Sequence, residues 1–433
     1  MILRPFALAA CCGMAVCAAT VPSEVTYYKD VLPVIQKNCQ NCHRPGEAAP
    51  FSMITYRETR PWAKAMKQAI LTRKMPPWFA DPHYGKFSND RSLSPAEIET
   101  IAAWADTGAK EGDPKDAPKP VEFTEGWGIG KPDWVVEMPA AFHIPAAGTV
   151  DYQYFVVPTG FHEDKYVRMA EARPGNRALV HHIIAFVREP GSPWLKDVKP
   201  GVAFVPKRDG NGQGGGGFGG EFLVGYAPGL PPETLEPGQA KLIKAGSDII
   251  LQMHYTANGK PGTDRSRVGF VFTNEPPKER VFMLAAANDK FAIPPQNPNY
   301  EVKSRFQLQA GATLTQFLPH MHFRGKDFEY RATYPDGTSE VLLRVPKYDF
   351  NWQLTYYLEK PKFLPKGTII DCVAHYDNSP NNPYNPDPTK EVHQGEQTWD
   401  EMMIGFFEVA FDPKLSPMDL MRPPEAARKT TTD

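Results

Sequence analysis

Cys39-Gln40-Asn41-Cys42-His43 sets two thiols three positions apart and follows the second with an imidazole. Two such thiols on one helical turn can form thioethers to the vinyl groups of a heme, and the adjacent imidazole then reaches the iron. A Cys-x-x-Cys pair alone also suits a redox dithiol or half a zinc site. The following His and the lack of a second Cys pair point instead to c-type heme, one per chain. A methionine is the expected sixth ligand, because it raises the potential relative to water or a second imidazole. Met53, Met66 and Met75 are the candidates. Met66 falls on the apolar face of a helical pattern and reads as core. Met75 lies in Lys74-Met75-Pro76-Pro77-Trp78, where two prolines pin an extended loop, and is the expected ligand.

Five of the 11 histidines sit in motifs further along. His181 and His182 form a doublet in Leu179-Val180-His181-His182-Ile183-Ile184, and His254 lies in Leu251-Gln252-Met253-His254-Tyr255. His320-Met321-His322 is a His-x-His, and a strand puts positions i and i+2 on one face, so these two can chelate one metal. The doublet differs: neighbouring strand residues point to opposite faces, and both can reach one metal only where the strand bends. Taken singly, each imidazole also reads as a hydrogen-bonded core residue. Cys372, in an apolar stretch, reads as a buried strand thiol.

Taken together, the order of these motifs resembles the copper type II, ascorbate-dependent monooxygenases, which include peptidylglycine α-hydroxylating monooxygenase and dopamine β-monooxygenase. The resemblance covers roughly residues 130 to 415. It rests on His181-His182, Gln252-Met253-His254-Tyr255, His320-Met321-His322 with Gly325-Lys326, and His393-Gln394-Gly395 leading to Asp400-Glu401-Met402. It implies two coppers in a solvent-filled cleft between two sandwiches. One, the electron-transfer copper, would be held by His181, His182 and His254. The other would bind O₂ and hydroxylate a C–H bond, held by His320, His322 and Met402. Met403 stands next to Met402, but the Asp-Glu-Met pattern places the ligand at 402. Imidazole suits copper in both redox states, and a thioether favours Cu(I).

The sequence departs from the peptide-amidating members at three positions. Where those carry an Arg, an Asn and a Tyr that grip the substrate, this chain has Leu318, Ile404 and Phe406. A carboxylate there would lose its paired charge and hydrogen bonds, so an apolar small-molecule substrate is expected rather than a peptide. The family's disulfide cysteines are also absent. The fused heme segment, which resembles small class I cytochromes c, is expected to replace or supplement ascorbate, with an external donor (ascorbate or another redox protein) behind it.

The elements that must position these residues follow from the pattern. At 433 residues the chain exceeds one ordinary domain. Helical patterns run over Val25–Lys37 and Arg60–Arg73, and Ser94-Pro95-Ala96-Glu97 is a capping box opening a helix to Ala105. Lys110 to Pro120 reads as a linker. From Trp134 onward short apolar runs alternate with turns, supported by 45 Pro and 34 Gly. The expected fold class is therefore multidomain: a small all-α cytochrome c domain followed by two all-β jelly-roll-like sandwich domains. The expected boundaries are a signal peptide at 1–20, the cytochrome c domain at 24–115, a linker at 116–132, sandwiches at 133–276 and 277–415, and a disordered tail at 416–433.

Arg4, the apolar run Phe6 to Ala19 and the small residues Ala18 and Ala19 read as an export signal, which predicts a periplasmic or secreted protein. Leu8-Ala9-Ala10-Cys11 offers a lipoprotein alternative. No later stretch approaches ~18 apolar residues, so no membrane span is expected. The net charge of −2 gives no basic surface for nucleic acid. Asp209 to Gly220 is glycine-rich, yet no Lys-Ser/Thr follows, so it reads as a surface loop. The function expected is hydroxylation of a small organic molecule with O₂. The alternatives are an exported heme/copper electron-transfer protein without hydroxylase activity, a copper-storage module, and a zinc hydrolase.

Overall fold

The computed structural model describes residues 24–47, 49–124, 126–206 and 220–422. The expected signal peptide, most of the glycine-rich run and the end of the expected tail lie outside the described residues.

The regular structure is mainly β. The helices are few and short: Leu32–Asn38, Tyr56–Thr59, Ala63–Leu71, Pro95–Asp106 and Pro417–Met421. The capping box at Pro95–Asp106 is complete. The Ser94 hydroxyl accepts from Glu97 N, and the Glu97 carboxylate accepts from Ser94 N. Trp104 on that helix is fully buried in a small core with Tyr27, Val31, Ile35 and Ile101.

This corrects the expected all-α cytochrome domain: a short helical N-terminus on a chain built mainly of strands is not one. The expected unit 24–115 also does not close on itself. After Pro77 the chain leaves the helices and straps across the C-terminal strands. Ser88 N donates to Tyr357 O at 2.9 Å, Glu359 N donates to Lys86 O at 2.8 Å, and Asp81 N donates to Arg344 O at 2.8 Å. Trp78 and Phe87 pack on Tyr356 with ring centroids 5.0 and 5.6 Å away. Aromatic residues that read as part of a small helical unit are spent on the β core instead.

The two β halves are likewise not two separate sandwiches. One nine-stranded sheet runs through both, in the order Trp134–Glu137, Arg267–Thr273, Lys165–Arg173, Gln239–Ile243, Glu279–Asn288, Met403–Phe411, Ala312–His320, Tyr356–Leu364, with Glu233–Thr234 added beside Lys165–Arg173. The halves are joined where Gln239–Ile243 pairs in parallel with Glu279–Asn288. A four-stranded sheet covers each half. Gln153–Pro158, Asp248–Tyr255, Val180–Arg188 and Glu221–Tyr226 form the first. Tyr300–Gln307, Ile369–Tyr376, Gly325–Thr333 and Ser339–Val345 form the second.

Period-2 patterning decides which side chains meet. Along Ile369–Tyr376, Ile370, Cys372, Ala374 and Tyr376 turn inward and their neighbours do not. Cys372 is thus the buried strand thiol expected of it. The N-terminal half closes over Phe155, Ile183, Leu251 and Phe270, and the C-terminal half over Phe317, Phe328, Tyr330 and Phe407. At the join, Lys241 is buried with two carboxylates, Nζ lying 2.5 Å from Glu233 and 2.8 Å from Glu408.

The helix Pro417–Met421 seats Leu420 in the C-terminal core, so the segment expected to begin a disordered tail at 416 is ordered as far as Arg422. No helix among the described residues is long and apolar enough to cross a membrane.

Candidate metal centres

The strand Val180–Arg188 pairs regularly with Asp248–Tyr255 except at one point. Val180 faces Tyr255 and His182 faces His254, so His181 is the extra residue of a β-bulge. A bulge turns the added residue out of alternation. That is the bend the doublet requires, and it brings adjacent imidazoles to one side. The ligand atoms of His181, His182 and His254 all lie within 4.8 Å of one another. His182 Nδ1 lies 3.4 Å from His181 Nδ1 and 3.3 Å from His254 Nδ1. Tyr152 backs the set, its ring 5.3 Å from His182 and 4.6 Å from His254.

The second set is assembled differently from the expected strand pair. The strand Ala312–His320 ends at its own histidine, and His322 lies in the loop beyond. The two rings stand 5.2 Å apart and perpendicular. What shapes the loop is Glu401, which is fully buried. One carboxylate oxygen accepts from Arg324 N at 2.6 Å; the other accepts from His322 N at 2.8 Å and from Met402 N at 3.3 Å. The backbones of His322 and Met402 therefore converge on a single oxygen. Met402 is buried, and its carbonyl accepts from the Tyr376 hydroxyl at 2.7 Å. Met403 points the other way, into the C-terminal core, which leaves Met402 as the thioether next to the loop.

In this second set one nitrogen of each ring is already engaged. His320 Nδ1 meets Gln353 Oε1 at 2.8 Å, and His322 Nδ1 meets Asp400 O at 3.3 Å. Such partners fix the orientation of a ligating imidazole and leave its other nitrogen for a metal. His322 Nε2 is buried with no hydrogen-bond partner, as expected of a donor atom awaiting an ion. Burial pushes His181 and His320 down to about 4. It also holds His182, His254 and His322 well below the usual imidazole range. All five are neutral near pH 7, the state a metal needs.

Between the sets lies Phe350 rather than an open cleft. Its ring stacks on His181 at 5.3 Å and 8°, and stands edge-on to His322 at 6.0 Å. A cavity of about 60 Å³ is lined in part by His182, Tyr226, Glu233, Gln316, Leu318 and Gln353. That is room for a few water-sized molecules. Leu318 and Phe406 are direct cross-strand partners, as are His320 and Ile404. The three apolar positions singled out in the sequence thus share the sheet face that carries His320, with the Phe406 ring 6.3 Å from it.

The Cys-x-x-Cys-His segment forms one turn after the helix Leu32–Asn38. Cys39 N donates to Ile35 O, and the Cys42 and His43 amides donate to Cys39 O at 3.1 and 2.9 Å. Both thiols are free, and burial pushes Cys39 up to about 12. His43 Nδ1 is held 3.2 Å from Phe51 O, which leaves Nε2 as the donor. Two free thiols and a tautomer-fixed imidazole on one turn fit covalent heme. Met75 is placed by its amide, which bonds Ala69 O at 3.3 Å beyond the helix Ala63–Leu71. Met53 is tied to the motif through its backbone: its amide donates to His43 O, and its carbonyl accepts from Gln40 Nε2, each at 2.9 Å. The Met53 side chain packs in the helical core.

Phe350, Tyr152, Gln353 and Glu401 were not found from sequence. Only Glu401 carried a signal, its place beside Met402.

No protein-family model matches the chain, and no curated protein matches it. Among solved structures, the VP2 subviral particle of infectious bursal disease virus is 12% identical. That match covers 67% of this chain and 75% of the other, at a TM-score of 0.19. The STIV MCP is 10% identical, covering 57% of this chain and 93% of the other, at a TM-score of 0.18.

Proposed function

We propose that the chain is an exported copper-dependent monooxygenase that hydroxylates a C–H bond of a small apolar molecule. Substrate and O₂, with two electrons and two protons, give the alcohol and water. The observation that carries this reading is the meeting of two buried donor sets of different composition around Phe350. One offers three imidazoles. The other offers two imidazoles, with the Met402 backbone held by the same Glu401 oxygen that holds His322 N.

Bound copper would supply one-electron chemistry toward O₂, with the thioether favouring the cuprous state. The chain's own residues do the rest. His181, His182 and His254 would hold one ion, and His320, His322 and Met402 the other. Gln353 and the Asp400 carbonyl fix the two rings of the second set. Phe350 would pack between the two sets. Leu318, Ile404 and Phe406 favour an apolar substrate next to His320. Cys39, Cys42 and His43 would hold one heme c, and electrons would reach it from ascorbate or another redox protein.

A second reading is an exported heme/copper electron carrier. The small cavity and the ring of Phe350 between the sets favour it, since a relay needs no substrate space. One sequence of measurements separates the readings. Heme and metal content are determined first, in protein made where heme c is attached, and oxygen consumption with a reductant follows. Two coppers per heme, one lost on His322→Ala and the other on His254→Ala, with reductant-driven oxygen uptake, supports the monooxygenase. Full loading without uptake favours the carrier. Zinc, or no metal beyond heme iron, overturns both.

A further inference from the structure

The segment just after the heme-attachment turn is fastened to the wall of the cavity lined by Tyr226 and His182. Glu47, four residues after His43, meets Arg177 Nη1 at 3.0 Å. The same guanidinium lies 5.6 Å from the centre of the Tyr226 ring and donates to its hydroxyl at 3.5 Å. Glu47 is also held by Arg44 at 3.0 Å, and Arg44 in turn covers Phe123 at 4.3 Å.

From Tyr226 the path inward is short. Tyr226 is the direct cross-strand partner of Ile183, the neighbour of His182. Tyr226 and His182 also line the same cavity. The chain thus places Glu47, Arg177, Tyr226 and the cavity shared with His182 in succession, with an ion pair forming the first step. An ion pair alone would be an ordinary surface contact. Here it is shared with an aromatic side chain that lines the same cavity as His182.

We propose that Tyr226, clamped through Arg177 to Glu47, is a positioning residue that seats the heme-attachment turn against His182, making this junction the point of electron entry to the first histidine set. The inference rests on the heme and copper reading above. The transfer moves one electron: ferrous heme becomes ferric, one cupric ion on His181, His182 and His254 becomes cuprous, and no bond is made or broken.

The test uses the full chain with heme and copper content verified by absorbance and elemental analysis. Heme is reduced without oxygen, Cu(II) is present at the histidines, and heme reoxidation is followed by stopped-flow absorbance. Glu47→Gln and Tyr226→Leu should slow reoxidation on the order of tenfold or more, the scale on which small misplacements act. Tyr226→Phe should keep most of the rate, and the heme spectrum and midpoint potential should match wild type throughout. Glu47 is partly exposed, so its variant serves even where Tyr226→Leu fails to fold. Unchanged rates in fully loaded variants overturn the junction alone. Absence of heme or copper from the wild-type protein overturns the reading beneath it, and the junction with it.

Discussion

His182 lies directly opposite His254 across two antiparallel strands, their Nδ1 atoms 3.3 Å apart. His181 joins them only because it is the extra residue of a bulge. Deleting His181 should restore regular pairing and leave the first set with two imidazoles. The expected result is loss of one metal equivalent on dialysis against a chelator, with far-UV circular dichroism unchanged. Retention of both equivalents by elemental analysis would remove the bulge from the account.

Phe350 is 7% exposed and touches both histidine sets. Phe350→Ala should cost roughly 3 kcal/mol, the usual scale for a buried aromatic, read as a lowered urea midpoint. Metal content should stay at the wild-type level, because the ring is packing and not a ligand. Loss of metal together with stability would show that the ring holds the histidines in place.

Lys241 is buried between Glu233 and Glu408 where the two halves join. Removing one partner of such a cluster strands charge away from water, at a cost of roughly 3–5 kcal/mol. Lys241→Ala should fall in that range in urea unfolding. Adding Glu233→Gln and Glu408→Gln to Lys241→Met should recover most of the loss. A triple variant no better than Lys241→Ala would mean that packing, not charge, dominates there.

Glu221 is buried, and burial raises it from 4.5 to about 7 against the pull of Arg280 and Lys241. A raised carboxyl keeps its proton in the folded chain. Its contribution is therefore complete below pH 4.5 and lost as pH rises through about 7. The swing is roughly 3 kcal/mol at ~1.4 kcal/mol per unit. Glu221→Gln should gain stability relative to wild type between pH 5 and pH 8, measured by urea midpoints at each pH. A difference between the two proteins that does not change with pH would contradict the assignment.

The histidine positions and the need for a bend at the doublet were legible because strand alternation is a strict rule. The Ser94–Glu97 capping box was legible for the same kind of reason: it is local. Phe350 was not, since an aromatic residue in a loop has no spacing that announces a partner 169 positions away at His181. The strap after Pro77 was hidden likewise. Its aromatics read as helical-unit residues, and only the edge formed by Tyr356–Leu364 gives them somewhere to pack. The join between Gln239–Ile243 and Glu279–Asn288 is a parallel pairing that no short motif encodes, so the halves looked like independent units.

That join makes the chain poor material for modular exchange. The backbone ladder passes from one half to the other without a linker, so the separation of the two histidine sets is written into strand register rather than into a tether. A half transplanted onto a foreign partner would bring its ligands but not the alignment between them. Lineages carrying this fold are therefore expected to inherit both halves together, and to vary in the loops and in the helical segment that precedes the strap.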